Sequence, residues 1–163
     1  MPLELPPPLA AADAALMEEA LAEALRALPD DVPVGAVVVR EGAVVGRGCN
    51  TRQREGDICG HAELNALRDA ARRLGGWNLT GCTLYVTLEP CPMCAGAIAQ
   101  ARIDRVVFGA ADPKAGAMGS VCDLTAMPFP HVPRVTSGVL EEACAALLTR
   151  FFAALREERG SFA

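Results

Sequence analysis

The sequence lacks the features of an exported or membrane-bound protein. Its apolar start is interrupted by Glu4, Asp13 and Glu18, and no basic residue precedes it. A signal peptide or a membrane span needs a longer uninterrupted apolar run, so neither is predicted. We therefore expect a cytoplasmic protein.

The sequence also lacks the even, regularly spaced set of cysteines that is typical of a disulfide framework. Its seven cysteines are irregularly spaced, which favours a reducing compartment where thiols bind metals or fill the core. Four cysteines in apolar surroundings are predicted to be buried thiols: Cys49, Cys82, Cys122 and Cys144. There are only two histidines, and His131 is predicted to be a loop residue rather than a ligand.

Positive charge is not in excess either. The net charge of −5 argues against a nucleic-acid partner, because phosphate contacts dominate such binding. However, residues 1–31 contain seven acidic residues and one arginine, while the remainder is nearly neutral, with 14 basic and 13 acidic residues. The acidic segment is predicted to be a solvated helix face, and Arg47, Arg52 and Arg54 to form a basic patch in one loop. Charge alone therefore neither requires nor excludes RNA.

The 163 residues, 52% of them apolar, suffice for one core. We expect a flexible proline-rich leader over residues 1–8 and a single domain over 9–163, with no internal repeat. Helices are predicted over 9–28, 60–74, 91–102 and 141–157, and strands over 34–39, 43–48, 83–88, 105–110 and 134–136. The buried stripe of the first helix is predicted to be Leu16, Leu21, Leu25 and Leu28. A hairpin followed by alternating helices and strands predicts an α/β protein with a mixed sheet covered on both faces.

Two short segments, His-Ala-Glu and Pro-Cys-Pro-Met-Cys, each lie at the start of a predicted helix. Helix N-termini stabilise thiolates, which are the metal-binding form of cysteine. His61, Cys91 and Cys94 thus supply one imidazole and two thiolates, a set that suits a catalytic zinc ion with water in the fourth position. Glu63 lies near enough to take a proton from that water. The sequence therefore predicts one catalytic zinc ion per chain.

Other interpretations of these residues are possible. A Cys-x-x-Cys pair by itself is often structural or redox-active. A closed structural site would need a fourth protein ligand, and Cys59 could join His61, Cys91 and Cys94. Glu63 argues against this alternative because a closed site does not need it, and the short spacing from Cys59 to His61 does not suit a finger or ribbon.

With these residues the chain resembles the zinc nucleobase deaminases, whose signature is H-x-E with P-C-x-x-C. The resemblance covers about Val32 to Phe152, and the runs Leu84 to Ile98 and Arg102 to Ser120 resemble the bacterial tRNA-specific adenosine deaminases. It implies a cytidine-deaminase-like three-layer α/β/α sandwich with a five-stranded mixed sheet. The zinc residues alone would fit deaminases of free guanine, cytosine or cytidine equally well.

The implied reaction is hydrolysis of adenosine to inosine at the wobble position of a tRNA anticodon, by water that zinc activates. Glu63 would take the proton of that water and deliver it to N1 of adenine. A single-stranded loop that can splay out a base is the natural substrate. Two alternatives remain: a deaminase of a free nucleobase or nucleoside, which the acidic net charge keeps open, and a non-catalytic zinc subunit that binds RNA, against which the intact Glu63 argues.

The resemblance also implies substrate contacts. Asn50 and the backbone beside Ala62 would hold the flipped base, Asp112 would bind a ribose 2′-hydroxyl, and Arg156 would contact the RNA from the final helix. Alternatively, Asn50 caps the turn after the hairpin and Asp112 is a turn residue before Pro113.

The small residues from Met93 to Ala101 would contribute to a homodimer, or alternatively be buried in the monomer. Three features depart from the relatives: the acidic, proline-containing leader, Val-Pro-Arg at 132–134 instead of Asn-His-Arg, and a final helix in which Glu157 and Glu158 offset Arg156 and Arg159. Weaker or differently placed tRNA contacts are therefore expected.

Overall fold

The computed structural model describes residues 7–161, and a five-stranded sheet lies at its centre. The strands, β1 to β5, are Gly35–Arg40, Ala43–Cys49, Cys82–Leu88, Arg105–Ala110 and Arg134–Ser137. The helices, α1 to α5, are Pro7–Leu25, Arg52–Glu55, Ala62–Leu74, Pro92–Gln100 and Glu141–Gly160. A short 3-10 turn spans Leu124–Ala126. All the predicted elements are present, whereas α2 and the 3-10 turn were not predicted.

The strand order is β2-β1-β3-β4-β5. Strand β1 pairs antiparallel with β2 and with β3, while the β3–β4 and β4–β5 pairs are parallel. Helix α4 forms the crossover between β3 and β4. The predicted mixed sheet is therefore confirmed.

Helices cover both faces of the sheet. Alternate residues of β1 enter two separate cores: Ala36 and Val38 lie in the core beneath α3 and α4, and Val37 and Val39 lie in the core beneath α1 and α5. Because both faces are buried, β1 is apolar along most of its length instead of alternating with polar residues. The arrangement is the three-layer α/β/α sandwich that was expected.

Helix α1 packs on the sheet through Met17, through small side chains and through only half of the predicted leucine stripe, Leu16 and Leu21. Ala20 and Ala24 are fully buried, whereas Leu25 and Leu28 are 55% and 38% exposed. The helix approaches β1 so closely that a Cβ atom on Gly35 would lie 2.1 Å from the Ala20 carbonyl oxygen. Only small residues fit at such a contact. The helix begins at Pro7, so the expected leader is described only over residues 7 and 8, which are helical, and its other residues lie outside the described range.

The prediction of a solvated acidic face on α1 is wrong for two of its residues, Asp13 and Glu23, which are 2% and 6% exposed. Asp13 binds Arg105 of β4 at 2.6 Å. Glu23, together with Glu19, binds Arg47, which lies on β2 and not in the predicted loop patch. These acids are ion-pair partners that join α1 to the sheet.

Most predictions for residues away from the zinc-binding segments hold. Cys82 and Cys144 are buried as predicted, Cys49 is partly buried, and Cys122 is exposed, contrary to expectation, in the loop after β4. His131 lies in a loop, with Nε2 2.7 Å from the Ile103 carbonyl oxygen. Within the described range no helix combines the length and the apolar character that crossing a membrane requires.

Candidate active site

Two helix starts place the predicted ligands. His61 and Cys91 are the residues that immediately precede α3 and α4, and both have extended backbone conformations. Side chains at this position usually accept a hydrogen bond from the first turn, but neither of these does so. Both side chains are therefore free to face each other. Cys94 follows in the first turn of α4 and is fully buried.

The three predicted ligand atoms converge. His61 Nδ1 lies 3.6 Å from Cys91 Sγ and 3.4 Å from Cys94 Sγ, and all three donor atoms lie within 4.8 Å of one another. A tetrahedral zinc ion, with bonds of about 2.3 Å to sulfur and about 2.0 Å to nitrogen, would separate nitrogen from sulfur by roughly 3.5 Å. The spacing and the chemistry of this donor set therefore fit zinc.

Cys59 does not join this group. The structure, over residues 7–161, gathers His61, Cys91 and Cys94 as the one cluster of three or more donors, without Cys59. The backbone N–H of Cys59 instead donates to Asp57 Oδ1 at 2.9 Å, within the segment that leads to α3. The closed four-ligand alternative is therefore not formed, and three protein ligands leave one position open.

Glu63 lies in the first turn of α3 and is only 4% exposed. Burial raises the pKa of its carboxyl group, and hydrogen bonds from the Cys94 thiol and from its own backbone N–H partly offset that rise. A raised pKa makes the Glu63 carboxylate a stronger base, which suits a group that accepts a proton and then returns it.

The thiols and the imidazole form a hydrogen-bonded set. The hydrogen bond from Cys94 lowers the pKa of Cys91 to about 4, and the same bond, together with burial, raises the pKa of Cys94. The hydrogen bond with Cys91 raises the pKa of His61. Cys91 is thus the sulfur that carries negative charge most readily, which suits a metal ligand.

A cavity of about 260 Å³ opens beside these residues. Asn50, Ala62 and Asp112, the residues predicted to contact the substrate, line it together with Glu63. Arg156, by contrast, is exposed on α5 and does not line the cavity. The volume of the cavity lies just below the usual range for pockets that bind small molecules, and it is large enough for a single planar base.

Asn50 and Asp112 both have local hydrogen bonds of the kind that the alternative interpretation requires. Asn50 Nδ2 donates to the Val32 carbonyl oxygen at 3.2 Å, and its Oδ1 accepts from the N–H of Arg52. Asp112 Oδ1 accepts from the N–H groups of Lys114 and Ala115. Each residue therefore stabilises a turn and also faces the cavity, so the two roles are compatible.

Sequence reasoning missed Glu89, which lines the cavity and is 3% exposed. Its carboxylate accepts hydrogen bonds from the N–H groups of Met118 and Ser120 and from the Ser120 hydroxyl, at 3.3, 3.3 and 2.6 Å. These bonds hold the loop after β4 against the segment that carries Cys91. The one sequence feature that could have identified Glu89 is its position two residues before the ligand Cys91. Sequence reasoning also missed the apolar lining, because the tertiary fold decides which side chains face the cavity. These residues are Val32, Val34, Leu88 and Ala115.

Comparison with known families gives one match that covers most of the chain. Residues 10–110 match the model of the cytidine and deoxycytidylate deaminase zinc-binding region. The matched range includes all three predicted ligands and Glu63.

Individual relatives are consistent with this match. The tRNA-specific adenosine deaminase of Bacillus subtilis is 46% identical over 149 residues, covering 90% of this chain and 92% of the relative. A tRNA(Ile)-lysidine synthase of Deinococcus deserti is 50% identical over 150 residues, covering 88% of this chain, which spans only 28% of that longer relative. A structure solved in studies of A-to-I editing by tRNA:A34 deaminases has a TM-score of 0.80 at 46% identity, covering 82% of this chain and 99% of that chain.

Proposed function

The chain belongs to the cytidine and deoxycytidylate deaminase family of zinc-binding proteins, and we propose that it hydrolyses adenosine to inosine at the wobble position of a tRNA anticodon. The observation that carries the proposal is the convergence of His61, Cys91 and Cys94 beside the buried Glu63. The similarity to tRNA-specific adenosine deaminases over nine tenths of the chain supports the choice of substrate.

The residues of the site divide the chemistry among them. His61, Cys91 and Cys94 would hold the zinc ion, which when bound would supply the activation of water for attack near neutral pH. Glu63 accepts the proton of the attacking water and delivers it to N1 of adenine as C6 is attacked. A second proton transfer through Glu63 lets the amine leave as ammonia, and a carbonyl group remains at C6.

The shape of the cavity selects the form of the substrate. Its volume of about 260 Å³ admits a base, and the ribose and phosphates of an RNA strand would stay at the rim. A base in a duplex cannot reach such a pocket without leaving its stack, whereas a base in an anticodon loop can be splayed out. Asn50 and the backbone beside Ala62 would hold the base, and Asp112 would reach a 2′-hydroxyl.

Residues at the rim of the cavity and beyond it would add phosphate contacts. Arg52 lines the rim, and Arg54 lies on the same short helix. Arg156 would contact RNA only beyond the cavity, since it lies on the exposed side of α5. Because these contacts are few, we expect the affinity for RNA to fall only shallowly with increasing salt.

We also infer that the protein is a cytoplasmic homodimer. The outer side of α4 carries the small residues Gly96 and Ala97, which are only half-buried, and apolar grooves lie on both sides of the helix. Trp77 and Phe129, at these grooves, are 66% and 51% exposed. Large exposed apolar side chains mark association surfaces.

The dimer can be tested by light scattering, which should give twice the chain mass of 17.0 kDa. Trp77→Glu should shift the measured mass towards that of the monomer. A monomeric native protein would refute the dimer.

The substrate is tested by comparing ammonia release from a synthetic anticodon stem-loop with release from free adenosine, guanine and cytidine. The stem-loop should be turned over efficiently and free adenosine very poorly, because binding energy from the rest of the RNA positions the base. Equal turnover of a free base or nucleoside would reject the RNA assignment and support the alternative, a free-base or nucleoside deaminase.

A further inference from the structure

Two buried carboxylates line the active-site cavity, and the proposed mechanism uses only one of them, Glu63. The other is Glu89, which directly follows β3 and is 3% exposed. Among residues 7–161 no arginine, lysine or histidine lies within ion-pair distance of Glu89. A buried carboxylate is costly unless hydrogen-bond donors surround it, so the partners of Glu89 indicate what it holds.

In the part of the chain that the structure describes, all the donors to the Glu89 carboxylate come from one segment, residues 111–123 after β4, which we call the rim loop. Oε2 accepts the N–H groups of Met118 and Ser120, each at 3.3 Å, and Oε1 accepts the Ser120 hydroxyl at 2.6 Å. A carboxylate only accepts hydrogen bonds and has room for about four, so it can bind all three donors at once. An amide in its place would turn an N–H group towards one of them.

Gly116 shows how tightly the rim loop lies against this carboxylate. A Cβ atom on Gly116 would overlap the carboxylate of Glu89 and would lie 2.6 Å from the Asp112 carbonyl oxygen. The Gly116 N–H donates to that same carbonyl oxygen at 2.9 Å, and the next N–H, of Ala117, donates to the Pro90 carbonyl oxygen at 2.8 Å. Glu89 and the residue after it therefore fix this part of the rim loop, and Gly116 connects it to Asp112.

The beginning of the rim loop forms part of the cavity wall. Asp112 and Ala115 line the cavity, and both belong to a turn in which Asp112 Oδ1 accepts the N–H groups of Lys114 and Ala115. These hydrogen bonds lie within the turn, so they fix its shape but not its position. Its position is set by the end of β4 on one side and by the contact with Glu89 on the other. A displacement of about 1 Å at such a wall can weaken the fit of a ligand strongly.

We propose that Glu89 is a positioning residue that sets the affinity for the substrate nucleoside by holding Asp112 and Ala115 in the cavity wall. The proposal rests on the proposed function, because it takes the adenosine of an RNA to lie against this wall. The hydrogen bonds of the carboxylate go to the rim loop and not to the zinc-binding side chains. Loss of these bonds should therefore weaken substrate binding and leave zinc and the proton transfers of Glu63 in place.

The test uses two variants of this contact and two matched controls. Glu89→Gln replaces one accepting oxygen by a donor, and Ser120→Ala removes only the hydroxyl bond. Thr80→Val is the control for Ser120→Ala, because Thr80 donates to Asn78 Oδ1 at the same distance, 2.6 Å, in the exposed segment before β3. Asp13→Asn is the control for Glu89→Gln, because it alters a buried carboxylate on the opposite face of the sheet and lowers stability without touching the cavity.

The first measurement is steady-state kinetics on a synthetic stem-loop RNA with one adenosine in its loop. Glu89→Gln should raise KM roughly tenfold, the weight of one hydrogen bond to a charged group, and Ser120→Ala should raise it about threefold. Both variants should keep the kcat and the zinc content of the wild type. The two controls should match the wild type in KM. Ser120→Ala tests the same contact if Glu89→Gln does not fold.

The second measurement is amide hydrogen exchange without RNA, which does not depend on the identity of the substrate. In Glu89→Gln the N–H groups of Met118 and Ser120 should exchange faster than in the wild type, while that of Val107, in the centre of β4, should keep its rate. Faster exchange together with a raised KM supports the proposal, because a loosened rim loop then accompanies weaker binding.

An unchanged KM in Glu89→Gln and Ser120→Ala would overturn the proposal and leave the proposed function intact. Loss of zinc, or a lower kcat at unchanged KM, would also overturn it, since Glu89 would then support the segment of Cys91 and not the cavity wall. If the zinc-loaded wild type deaminates a free nucleoside but no RNA, the proposed function fails, and the same comparison of KM values on that nucleoside decides the role of Glu89.

Discussion

At the scale of single residues, Glu63 allows the chemical step to be tested apart from the binding of zinc and RNA. It is buried, lines the cavity and is not among the three ligand residues. Glu63→Ala should keep zinc and substrate RNA while kcat falls by about 10² to 10⁴, the usual contribution of a positioned acid and base. Elemental analysis measures the bound zinc, a binding assay measures the affinity for RNA, and single-turnover kinetics measure the rate of the chemical step. Turnover near the native rate would show that another group moves the proton.

Cys59 and Cys91 distinguish a site with an open position from a closed one. Cys59 lies outside the donor cluster, so Cys59→Ser should leave one zinc ion bound and activity largely intact. Cys91→Ser should lose both, because two ligands hold zinc poorly. Elemental analysis of the purified variants measures the metal. Release of zinc by the Cys59 change alone would indicate a four-ligand structural site.

Asp112 tests the contact with the sugar. Its carboxylate lines the cavity while its Oδ1 caps the turn over Lys114 and Ala115. Replacing the ribose of the target adenosine by deoxyribose should raise KM for the wild type and have no effect on Asp112→Ala, whose side chain cannot bind a hydroxyl group, provided that the variant keeps its zinc content. If the variant discriminates between the two sugars as strongly as the wild type, Asp112 is a turn residue only.

At the scale of elements, one buried ion pair joins α1 to the sheet. Arg105 of β4 donates two hydrogen bonds to Asp13, at 2.9 and 2.6 Å, and the Tyr85 hydroxyl donates a third at 2.7 Å. Removing one member of a buried pair leaves an uncompensated charge, so Asp13→Ala should lower the free energy of unfolding by about 3 to 5 kcal/mol. Tyr85→Phe removes one hydrogen bond and should cost about 1 kcal/mol.

Denaturant unfolding of both variants measures these losses. Equal losses for the two changes would mean that the charge at Asp13 does not stabilise the attachment of α1.

The elements also show what a local sequence pattern can predict. Strand β4 has the predicted bounds, 105–110. Its apolar run is preceded by the polar Asp104 and Arg105, and it ends next to Gly109, shortly before Asp112. Helix α2 was not predicted, since its four residues, Arg52–Glu55, have no apolar periodicity. Asp31, more than 20 residues away, accepts the N–H groups of Gln53 and Arg54 and stabilises its first turn. Such a distant cap leaves no signal in the local pattern.

The same limit applies to the site. The ligands His61, Cys91 and Cys94 follow from residue type and spacing, because zinc chemistry restricts both. The lining of the cavity does not follow from the sequence, since Leu88 and Glu89 face the cavity only when β3 lies beside β4. The buried face of α1 was predicted correctly at Leu16 and Leu21 but wrongly at Leu25 and Leu28, because the many alanines and leucines of this segment fit several helical registers.

At the scale of the whole molecule, the fold explains how an acidic protein can accept RNA. Four of the N-terminal acids, Asp13, Glu18, Glu19 and Glu23, lie on α1, which covers the opposite face of the sheet from α3, whose start carries the catalytic residues. Several of them are engaged by Arg47 and Arg105. The distribution of charge, and not its total of −5, therefore decides which surface a phosphate backbone meets.

The central claim is that zinc and Glu63 convert one adenosine of an anticodon loop to inosine. The most direct measurement incubates the zinc-loaded protein with a tRNA transcript that has adenosine at the wobble position, then digests the RNA and locates the product by mass spectrometry. We predict replacement of the amino group by a carbonyl oxygen at that nucleotide alone, and no change with Glu63→Ala. An unmodified wobble adenosine, with ammonia released instead from free guanine or cytidine, would contradict the account.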